Sequence, residues 1–510
     1  MAEGTASDRP YDLLVIGGGI NGAGTARDAA GRGLRVLLAE KDDLAQGTSS
    51  RSGKYIHGGL RYLEYYEFRL VREALIEREV VLDAAPHLAR PLRLILPHSP
   101  QQRPRWLIRL GLFLYDHLGG RRRIPATAGL RLDRVPEGAV LRPAYRHGFA
   151  YYDVWVDDAR LVVLNAVDAA RRGADVMTRT AVVQARRDGG LWRVTLSGPT
   201  GLREVAAWAI FNAAGPWVEQ VLGAVAGVNA QKRVRLVKGS HIILPRWWQG
   251  SHGYVLQAPD KRLIFVNPYL DDLALVGTTD IPFDGRPEDV AIDTQETDYL
   301  LGILNSYFVT AFGPHDIVSS YSGVRPLFDD DSEKGASAVT RDYSFELDGD
   351  AAPDPDGRAP LLSVFGGKLT TYRKLSEAAL ARLRPWFPHM TGPWTAHAPL
   401  PGGDIPGGDF NAWQADFQAR HAWLPARLAR HYATSYGTEA EALLEGAQGV
   451  DDLGQRFGGL FFAREAAWMV EREWAHSVED MIVRRSKHHF DLSEADLRRV
   501  QDWIGQRYAA

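Results

Sequence analysis

The chain has 510 residues, of which 45% are hydrophobic and 24% charged, and its formal net charge is −3. This usage is typical of a folded protein of two or three domains, and it excludes a largely disordered chain and a protein that coats nucleic acid. Because cysteine is absent, disulfides, cysteine-held metal clusters and cysteine-linked cofactors are excluded, and no metal site is predicted.

The N-terminal segment predicts a strand, a helix and a second strand. Residues 13–16 form a short apolar run, and the alanine-rich residues 23–32 favour a helix that ends at Gly33. Residues 34–40 then predict a strand that ends on the carboxylate of Glu40. This order is that of a βαβ unit.

Glycines after the first strand fit a dinucleotide-binding turn. Gly17, Gly19 and Gly22 follow the pattern G-x-G-x-x-G, in which glycine permits a tight turn, a close approach of the backbone to pyrophosphate, and close helix–strand packing. Glu40 follows 23 residues after Gly17, where a carboxylate can bind ribose hydroxyls. Since the pattern lies between a strand and a helix, a bound dinucleotide is favoured over a ligand-free turn.

The next segment distinguishes between FAD and NAD, which share this unit. Residues 42–54 and 56–63 resemble the stretch by which amine- and hydroxy-acid-oxidising flavoproteins line the pyrophosphate and the flavin. This resemblance favours FAD, with Thr48, Ser49 and Ser50 among its contacts. Because the chain has no cysteine and no histidine in a recognised attachment motif, non-covalent binding is predicted.

Residues 103–123 combine apolar side chains with six arginines and one acidic residue, Asp116. A basic segment with Trp and Phe is typical of a helix that lies on anionic lipid. The alternative is a core helix with arginines on its surface. The Trp247–Trp248 pair is a candidate for a second anchor or for a contact in a homodimer. The residues predicted to contact the membrane are Trp106, Arg109, Phe113, Arg121, Arg122 and Arg123.

The rest of the chain predicts two further layers. Residues 158–172 have a helical apolar pattern, and β-like segments follow at 176–196 and 207–211, with a hairpin turn at Gly189. Residues 233–345 are rich in short strands and predict an antiparallel sheet. Residues beyond a Pro- and Gly-rich stretch at 385–406 are almost wholly helical in pattern.

The predicted fold class is therefore α/β, with a Rossmann-like FAD-binding domain, a mixed or antiparallel-sheet substrate domain and a C-terminal all-helical cap domain. We expect the FAD-binding domain at residues 10–395, with an interleaved substrate part at roughly 60–155 and 233–345. The helical domain is expected at residues 396–510, where the sequence shows no chemical constellation.

Blocks of sequence along the chain resemble the aerobic FAD-dependent glycerol-3-phosphate dehydrogenases. The resemblance covers residues from about 10 to 385 in unbroken order, and the helical C-terminal part is also similar. The blocks are residues 57–64, 115–118, 155–161, 212–217, 238–241, 277–280, 321–326 and 366–374. Ordered matching of this kind is very specific.

This resemblance implies an activity. It is the oxidation of sn-glycerol 3-phosphate to dihydroxyacetone phosphate by hydride transfer from C2 to the flavin N5, with the electrons passed to ubiquinone. A glycerol-3-phosphate oxidase that uses oxygen is the alternative, which the sequence separates poorly. An anaerobic iron–sulfur relative is disfavoured because cysteine is absent.

Such a reaction requires cations for a phosphate dianion and a base for the C2 hydroxyl proton. Arg61, Arg325 and Lys368 lie in Gly-rich loops, and the resemblance implies that they hold the phosphate, with Tyr62 as a hydrogen-bonding neighbour. His241 is the preferred base and His57 is the rival. Lys368 could also stabilise the reduced flavin. By the same resemblance, the further cofactor contacts are Gly215, Gly367, Lys368, Leu369 and Thr370.

The N-terminus is short and polar, and no stretch reaches the roughly 18 uncharged apolar residues of a spanning helix. A cytoplasmic protein, bound peripherally to the inner face of the cell membrane, is therefore expected. The expected partners are glycerol 3-phosphate, ubiquinone and anionic lipid, with no nucleic acid.

Overall fold

The structure is a computed structural model that describes residues 9–60, 63, 66–120, 123–329, 343–350 and 357–508. Within these ranges, no helix is both long and apolar enough to cross a membrane. The strands are β1 (Tyr11–Ile16), β2 (Val36–Ala39), β3 (Tyr55–Ile56), β4 (Ala89–His98), β5 (Ala128–Arg131), β6 (His147–Val156), β7 (Asp175–Met177), β8 (Ala181–Asp188), β9 (Leu191–Gly198), β10 (Gly201–Asn212), β11 (Arg233–Pro245), β12 (Gly253–Gln257), β13 (Leu263–Tyr269), β14 (Leu273–Gly277), β15 (Ile281–Pro282), β16 (Ser319–Asp329), β17 (Tyr343–Asp348), β18 (Leu361–Gly366), β19 (Arg456–Gly458) and β20 (Phe461–Phe462). The helices are α1 (Ile20–Gly31), α2 (Phe68–Ala84), α3 (Arg105–Leu118), α4 (Asp158–Arg171), α5 (Val218–Gln220), α6 (Thr294–Tyr307), α7 (Tyr372–Leu383), α8 (Phe410–Arg420), α9 (Ala426–Tyr436), α10 (Ala440–Leu443), α11 (Ala463–Glu473) and α12 (Glu494–Tyr508).

The first sheet carries the predicted βαβ unit. Its strand order is β17-β18-β10-β1-β2-β7, and β9 joins β8 to β10. The central pairs β18–β10, β10–β1, β1–β2 and β2–β7 are parallel. Helix α1 lies between β1 and β2 in the chain, as its alanine-rich sequence predicts. Gly24 allows α1 to pass close to α7, because a Cβ there would lie 2.6 Å from the ring of Tyr372.

The meander β8–β9–β10 extends the first sheet. Asp188 pairs with Leu191 across a two-residue turn, and both turn residues, Gly189 and Gly190, have positive φ angles of 53° and 73°. This geometry is that of a tight hairpin turn, which glycine adopts without strain. The hairpin predicted at this point is therefore present.

The second sheet is mixed. Its order is β15-β11-β14-β13-β12-β4-β6-β3, with β16 on β11 and β5 on β6. Most pairs are antiparallel, but β12 and β4 are parallel. Helix α6 packs on this sheet through Leu300, Leu304 and Tyr307. The sheet combines strands from the two separate stretches predicted for the substrate part, whereas β17, at the end of the second stretch, pairs in the first sheet.

The C-terminal part has a hydrophobic core of its own, which includes Phe417, Tyr432, Phe457 and Met469. It consists of α8 to α12 and the hairpin β19–β20. The predicted fold class is confirmed, with the difference that this hairpin interrupts the domain expected to be all-helical. The hairpin is short, so its few residues do not break the helical pattern of the surrounding sequence.

Candidate active site

A cavity of about 770 Å³ borders strands of both sheets. It begins at the carboxyl end of β1, which is where dinucleotides bind in sheets of this kind. Gly22 and Ser50 do not line it, and Arg61 and Tyr62 lie outside the described residues. The predicted site residues that do line it are Gly17, Gly19, Glu40, Thr48, Ser49, His57, Gly215, His241, Arg325, Gly367, Lys368, Leu369 and Thr370.

The glycines of the turn have different structural tasks. Gly17 has φ +109°, and a Cβ there would lie 2.7 Å from the carbonyl oxygen of Ala213. A Cβ on Gly22 would lie 1.8 Å from the carbonyl oxygen of Gly17. These two glycines therefore shape the turn itself. Gly19 borders the cavity and is the N-cap of α1, so a phosphate can approach the backbone at the N-terminus of this helix.

Glu40 lies at the end of β2, on the rim of the same cavity. Its carboxylate accepts hydrogen bonds from the backbone N–H of Gly18 at 2.6 Å and of Asp42 at 2.8 Å. Burial raises the pKa of this carboxyl, and the two backbone donors oppose that effect. Its place beside the glycine turn fits the ribose-binding role predicted for it.

The loop after Glu40 covers one side of the cavity. Ser49 Oγ accepts a hydrogen bond from the backbone N–H of Ile20 at 3.0 Å, and Thr48 Oγ1 donates to the carbonyl oxygen of Val324 at 2.6 Å. The loop is thus attached to α1 and to β16. Together with the N-terminus of α1, it forms a cradle whose residues fit the pyrophosphate of FAD.

His241 is a buried histidine in β11. Its side chain stacks on Tyr321 of β16 with the ring centroids 4.8 Å apart, and β14 passes so close that a Cβ on Gly277 would lie 2.2 Å from the imidazole. Burial lowers the pKa of His241 to about 3, and the charges of Lys54 and Arg325 act in the same direction. Within the described residues, Nδ1 has no hydrogen-bond partner. His241 is therefore a neutral imidazole at the cavity wall.

His57, the rival base, also borders the cavity. It is half-buried, and its backbone N–H donates to Thr370 Oγ1 at 3.3 Å. Thr370 directly precedes Thr371, which is the N-cap of α7. The structure thus brings both histidines to the same cavity, and the identity of the base stays a prediction.

Two of the predicted phosphate ligands border the cavity. Arg325 lies in strand β16 and not in a loop, as the sequence had suggested. It donates to the carbonyl oxygen of Thr279 at 2.9 Å and forms an ion pair with Asp280 at 3.1 Å. Lys368 follows Gly366 and Gly367, both of which have positive φ angles (82° and 97°). Arg325 and Lys368 thus reach the cavity from a strand and from the loop between β18 and α7, and Lys41, Arg51 and Arg262 also line it.

Several residues that line the cavity or lie next to it were not predicted from the sequence. Arg51 donates to the carbonyl oxygen of Ser322 at 3.0 Å, and Tyr55 donates to the side-chain oxygen of Asn267. Lys54 is buried beside the Tyr321 ring. Lys54 and Arg51 lie in the segment that resembles flavoproteins, so the sequence could have indicated them as residues near the cofactor. In contrast, the sequence around Asn267 does not indicate that this residue lies at the cavity.

The predicted membrane segment contains helix α3, which has one buried face and one exposed apolar face. Trp106, Leu110 and Phe113 are exposed by 69%, 48% and 51%, while Leu112 and Tyr115 are buried. Two of the arginines in this segment, which the sequence suggested as lipid contacts, bind other residues of the protein. Arg109 donates to Thr127, and Arg123 contacts Glu79, Asp83 and Gly408. Arg121 and Arg122 lie outside the described residues.

The Trp247–Trp248 pair is not a second anchor on the surface. Trp248 is 4% exposed and its indole N–H donates to the carbonyl oxygen of His252 at 2.8 Å. Trp247 packs against Phe308 and Phe312. The suggestion of an exposed pair was wrong, because residues after α6 cover a turn that looks exposed in the sequence.

Comparison with known proteins gives matches along nearly the whole chain. A family model described as FAD dependent oxidoreductase matches residues 12–373, and a model described as the C-terminal domain of alpha-glycerophosphate oxidase matches residues 394–507. The D-erythritol 1-phosphate dehydrogenase of Brucella abortus is 56% identical, over 98% of this chain and 98% of its own. The aerobic glycerol-3-phosphate dehydrogenase of Escherichia coli is 48% identical, over 97% of each chain.

A solved structure is similar over the whole fold. The glycerol-3-phosphate dehydrogenase from Bacillus halodurans, complexed with FAD, superposes with a TM-score of 0.75 at 25% sequence identity. The match covers 99% of this chain and 92% of that one.

Proposed function

Since this chain belongs to the FAD-dependent oxidoreductases, and within them to the group that contains the glycerol-3-phosphate dehydrogenases, we propose that it oxidises sn-glycerol 3-phosphate to dihydroxyacetone phosphate and passes the electrons to ubiquinone. The observation that carries this proposal is the convergence of His241, Arg325 and Lys368 on the cavity that begins at the glycine turn. His241 and Arg325 lie in strands β11 and β16, and Lys368 lies in the loop between β18 and α7, so the three come from separate parts of the sequence. Together they offer a base and two cations to one small polar substrate.

In the proposed reaction, bound FAD supplies at N5 an acceptor for the hydride from C2 of the substrate. Neutral His241 accepts the proton of the C2 hydroxyl at an imidazole nitrogen. Its low pKa means that it is unprotonated before each turnover at physiological pH. The surrounding β-strands exclude water from the ring, which keeps the proton transfer within the site.

The phosphate of the substrate is assigned to Arg325 and Lys368. The planar guanidinium of Arg325 can donate two parallel hydrogen bonds to phosphate oxygens, whereas Lys368 supplies a compact charge. Asp280, 3.1 Å from Arg325, orients the guanidinium. Arg61, which lies outside the described residues, is proposed as the third cation, with Tyr62 beside it.

A second substrate is favoured by one comparison. The relative from Brucella abortus is named for D-erythritol 1-phosphate, which has one more carbinol carbon than glycerol phosphate, and it is 56% identical to this chain. Both substrates present a secondary alcohol and a terminal phosphate to the same residues. The experiment is anaerobic mixing of each compound with the FAD-loaded protein, with the rate of flavin reduction recorded. A clear preference for the four-carbon phosphate would place this chain with that relative.

We further propose that α3 attaches the protein to the inner face of the cell membrane. Ubiquinone is dissolved in the bilayer, so an enzyme that reduces it must lie at the membrane surface. The exposed side chains of Trp106, Leu110 and Phe113 are apolar and lie on one helix. Tyr66, just before α2, and Phe68, its first residue, are also exposed, by 79% and 40%, and α2 packs against α3.

Changing Trp106 and Phe113 to serine should release the protein from vesicles that contain anionic phospholipid. Burial of one large apolar side chain contributes about 1.5–3 kcal/mol, so the loss of two should weaken binding by more than about a hundredfold. Vesicle flotation measures this effect. Reduction of ubiquinone in the vesicles should slow in parallel, while turnover with a soluble dye should stay nearly intact.

The matched control replaces Leu202 and Trp208 with serine, since these residues of β10 are exposed by 74% and 44%. That variant should stay on the vesicles. If the α3 variant also stays, or if it loses dye turnover through misfolding, the membrane contact lies elsewhere. Rapid reoxidation of the reduced enzyme by oxygen instead of quinone would favour the oxidase.

A further inference from the structure

Buried ion pairs join the C-terminal domain to the FAD-binding domain. Lys487, just after the π-helical segment Asp480–Arg485, places its ammonium 2.6 Å from Asp157 Oδ1. Lys487 is 6% exposed. Asp157 is the N-cap of α4, where its side chain accepts a hydrogen bond from the backbone N–H of Arg160. The C-terminal domain thus holds the first turn of α4 by a charge–charge contact.

Asp158, the first residue of α4, extends this set of contacts toward the cavity. Asp158 is fully buried and lies 2.7 Å from the ammonium of Lys54. Its second oxygen accepts a hydrogen bond from Ser52 Oγ at 2.7 Å. Lys54 and Ser52 belong to the loop that covers the cavity. The beginning of α4 therefore holds both ends of residues 52–54.

Lys54 and Ser52 in turn contact the ring that stacks on His241. The ammonium of Lys54 lies 5.5 Å from the centroid of the Tyr321 ring. The hydroxyl of Tyr321 donates to the carbonyl oxygen of Ser52 at 2.7 Å. Tyr321 stacks on the imidazole at an interplanar angle of 23°. A continuous chain of contacts therefore leads from Lys487 to His241.

We propose that the C-terminal domain is a positioning element of the catalytic centre, which through Lys487, Asp157 and Asp158 holds the Lys54 ammonium and the Tyr321 ring in place beside His241. This gives a task to a domain whose own sequence shows no chemical constellation. Lys54 and Lys487 are positioning residues, because they act through Tyr321 and His241. The inference rests on the proposed function of His241 as the base.

The charges near this series of contacts are consistent with a positioning role. The groups that face His241 are Lys54, Arg325 and Tyr321, and both cations lower the pKa of His241 in addition to its burial. Burial alone would lower the pKa of Lys54, but Asp158, Tyr269 and Asp157 outweigh it, so the net pKa is raised and Lys54 stays charged. A permanent cation near the imidazole therefore contributes to the low pKa of His241.

The first test removes the cation without leaving a buried charge unpaired. In the FAD-loaded protein, the double variant Lys54→Met with Asp158→Asn should raise the fraction of protonated His241 at pH 5 several-fold, because the charge of Lys54 is one of those that lower the pKa of His241. Histidine-selective ¹³C NMR measures that fraction, and the signal of His241 is assigned by its loss in His241→Asn.

The second test changes Lys487, at the other end of this series of contacts. Lys487→Met should change the protonation of His241 in the same direction, because Asp157 then loses its cation, and Lys487→Arg should restore it. The control is Arg160→Met with Glu473→Gln, which removes another buried ion pair between the same domains (2.5 Å). The Arg160 side chain bonds to Glu473 and to the carbonyl oxygen of Ser435 and reaches Asp157 only through a weaker charge interaction, so this variant should change the protonation of His241 much less than Lys487→Met.

The inference is overturned if His241 titrates as in the native protein in both test variants, or if the Arg160 control moves it equally. Failure of the proposed function looks different. If the NMR titration moves as expected while the pH dependence of flavin reduction does not follow it, the positioning stands and His241 is not the base.

Discussion

Replacing His241 with asparagine should slow the anaerobic reduction of bound FAD by glycerol 3-phosphate about a hundredfold or more. The reason is that a positioned general base contributes roughly 10²–10⁴ to such a rate. FAD content should change little, because His241 lies in the second sheet, away from the glycine turn of β1. Stopped-flow absorbance of the flavin measures the rate, and absorbance of the purified protein measures the FAD content.

His57→Asn is the comparator, because His57 borders the same cavity. Burial lowers the pKa of His241 to about 3, so the imidazole is unprotonated throughout pH 6 to 8. The ratio of native to variant rates should therefore be constant over this range. A native rate for His241→Asn together with a slow His57→Asn would transfer the role of base to His57.

Replacing Arg325 with methionine should reduce kcat/KM for glycerol 3-phosphate far more than for glycerol. A charge-assisted contact to phosphate contributes about 2–4 kcal/mol, which corresponds to a loss of about 30- to 700-fold. Glycerol has no phosphate and should lose little. Steady-state rates with a soluble dye acceptor give both values.

Two further variants separate charge from geometry at this position. Arg325→Lys keeps a cation but loses the planar pair of donors, so its loss should be intermediate. Asp280→Asn keeps Arg325 and removes only the carboxylate 3.1 Å away. Equal losses for glycerol and its phosphate in Arg325→Met would exclude Arg325 from the phosphate site.

The βαβ unit could be predicted from local sequence because its signals are local. The apolar run of β1, the glycine turn and Glu40 lie within 30 residues of each other, and each has a direct physical meaning. The gathering of His241, Arg325 and Lys368 at one cavity depends on how distant strands pair. No local pattern encodes it, so the resemblance to a family was needed to connect these residues.

The docking of the C-terminal domain could not be predicted at all. Lys487 and Asp157 are 330 residues apart, and each taken alone looks like an ordinary surface charge. The misplacement of Trp248 has the same origin, since burial at a turn depends on what a distant segment covers. In contrast, the exposed apolar face of α3 follows from helical periodicity within one segment.

The most direct test of the central claim is the absorbance of the protein-bound flavin after glycerol 3-phosphate is added without air. We expect the oxidised flavin band to disappear within the time of a few turnovers and to return when a quinone analogue is added. D-erythritol 1-phosphate tests in the same cuvette which polyol phosphate is preferred. A flavin band that persists unchanged with both phosphates would contradict the proposed oxidation of a polyol phosphate by this protein.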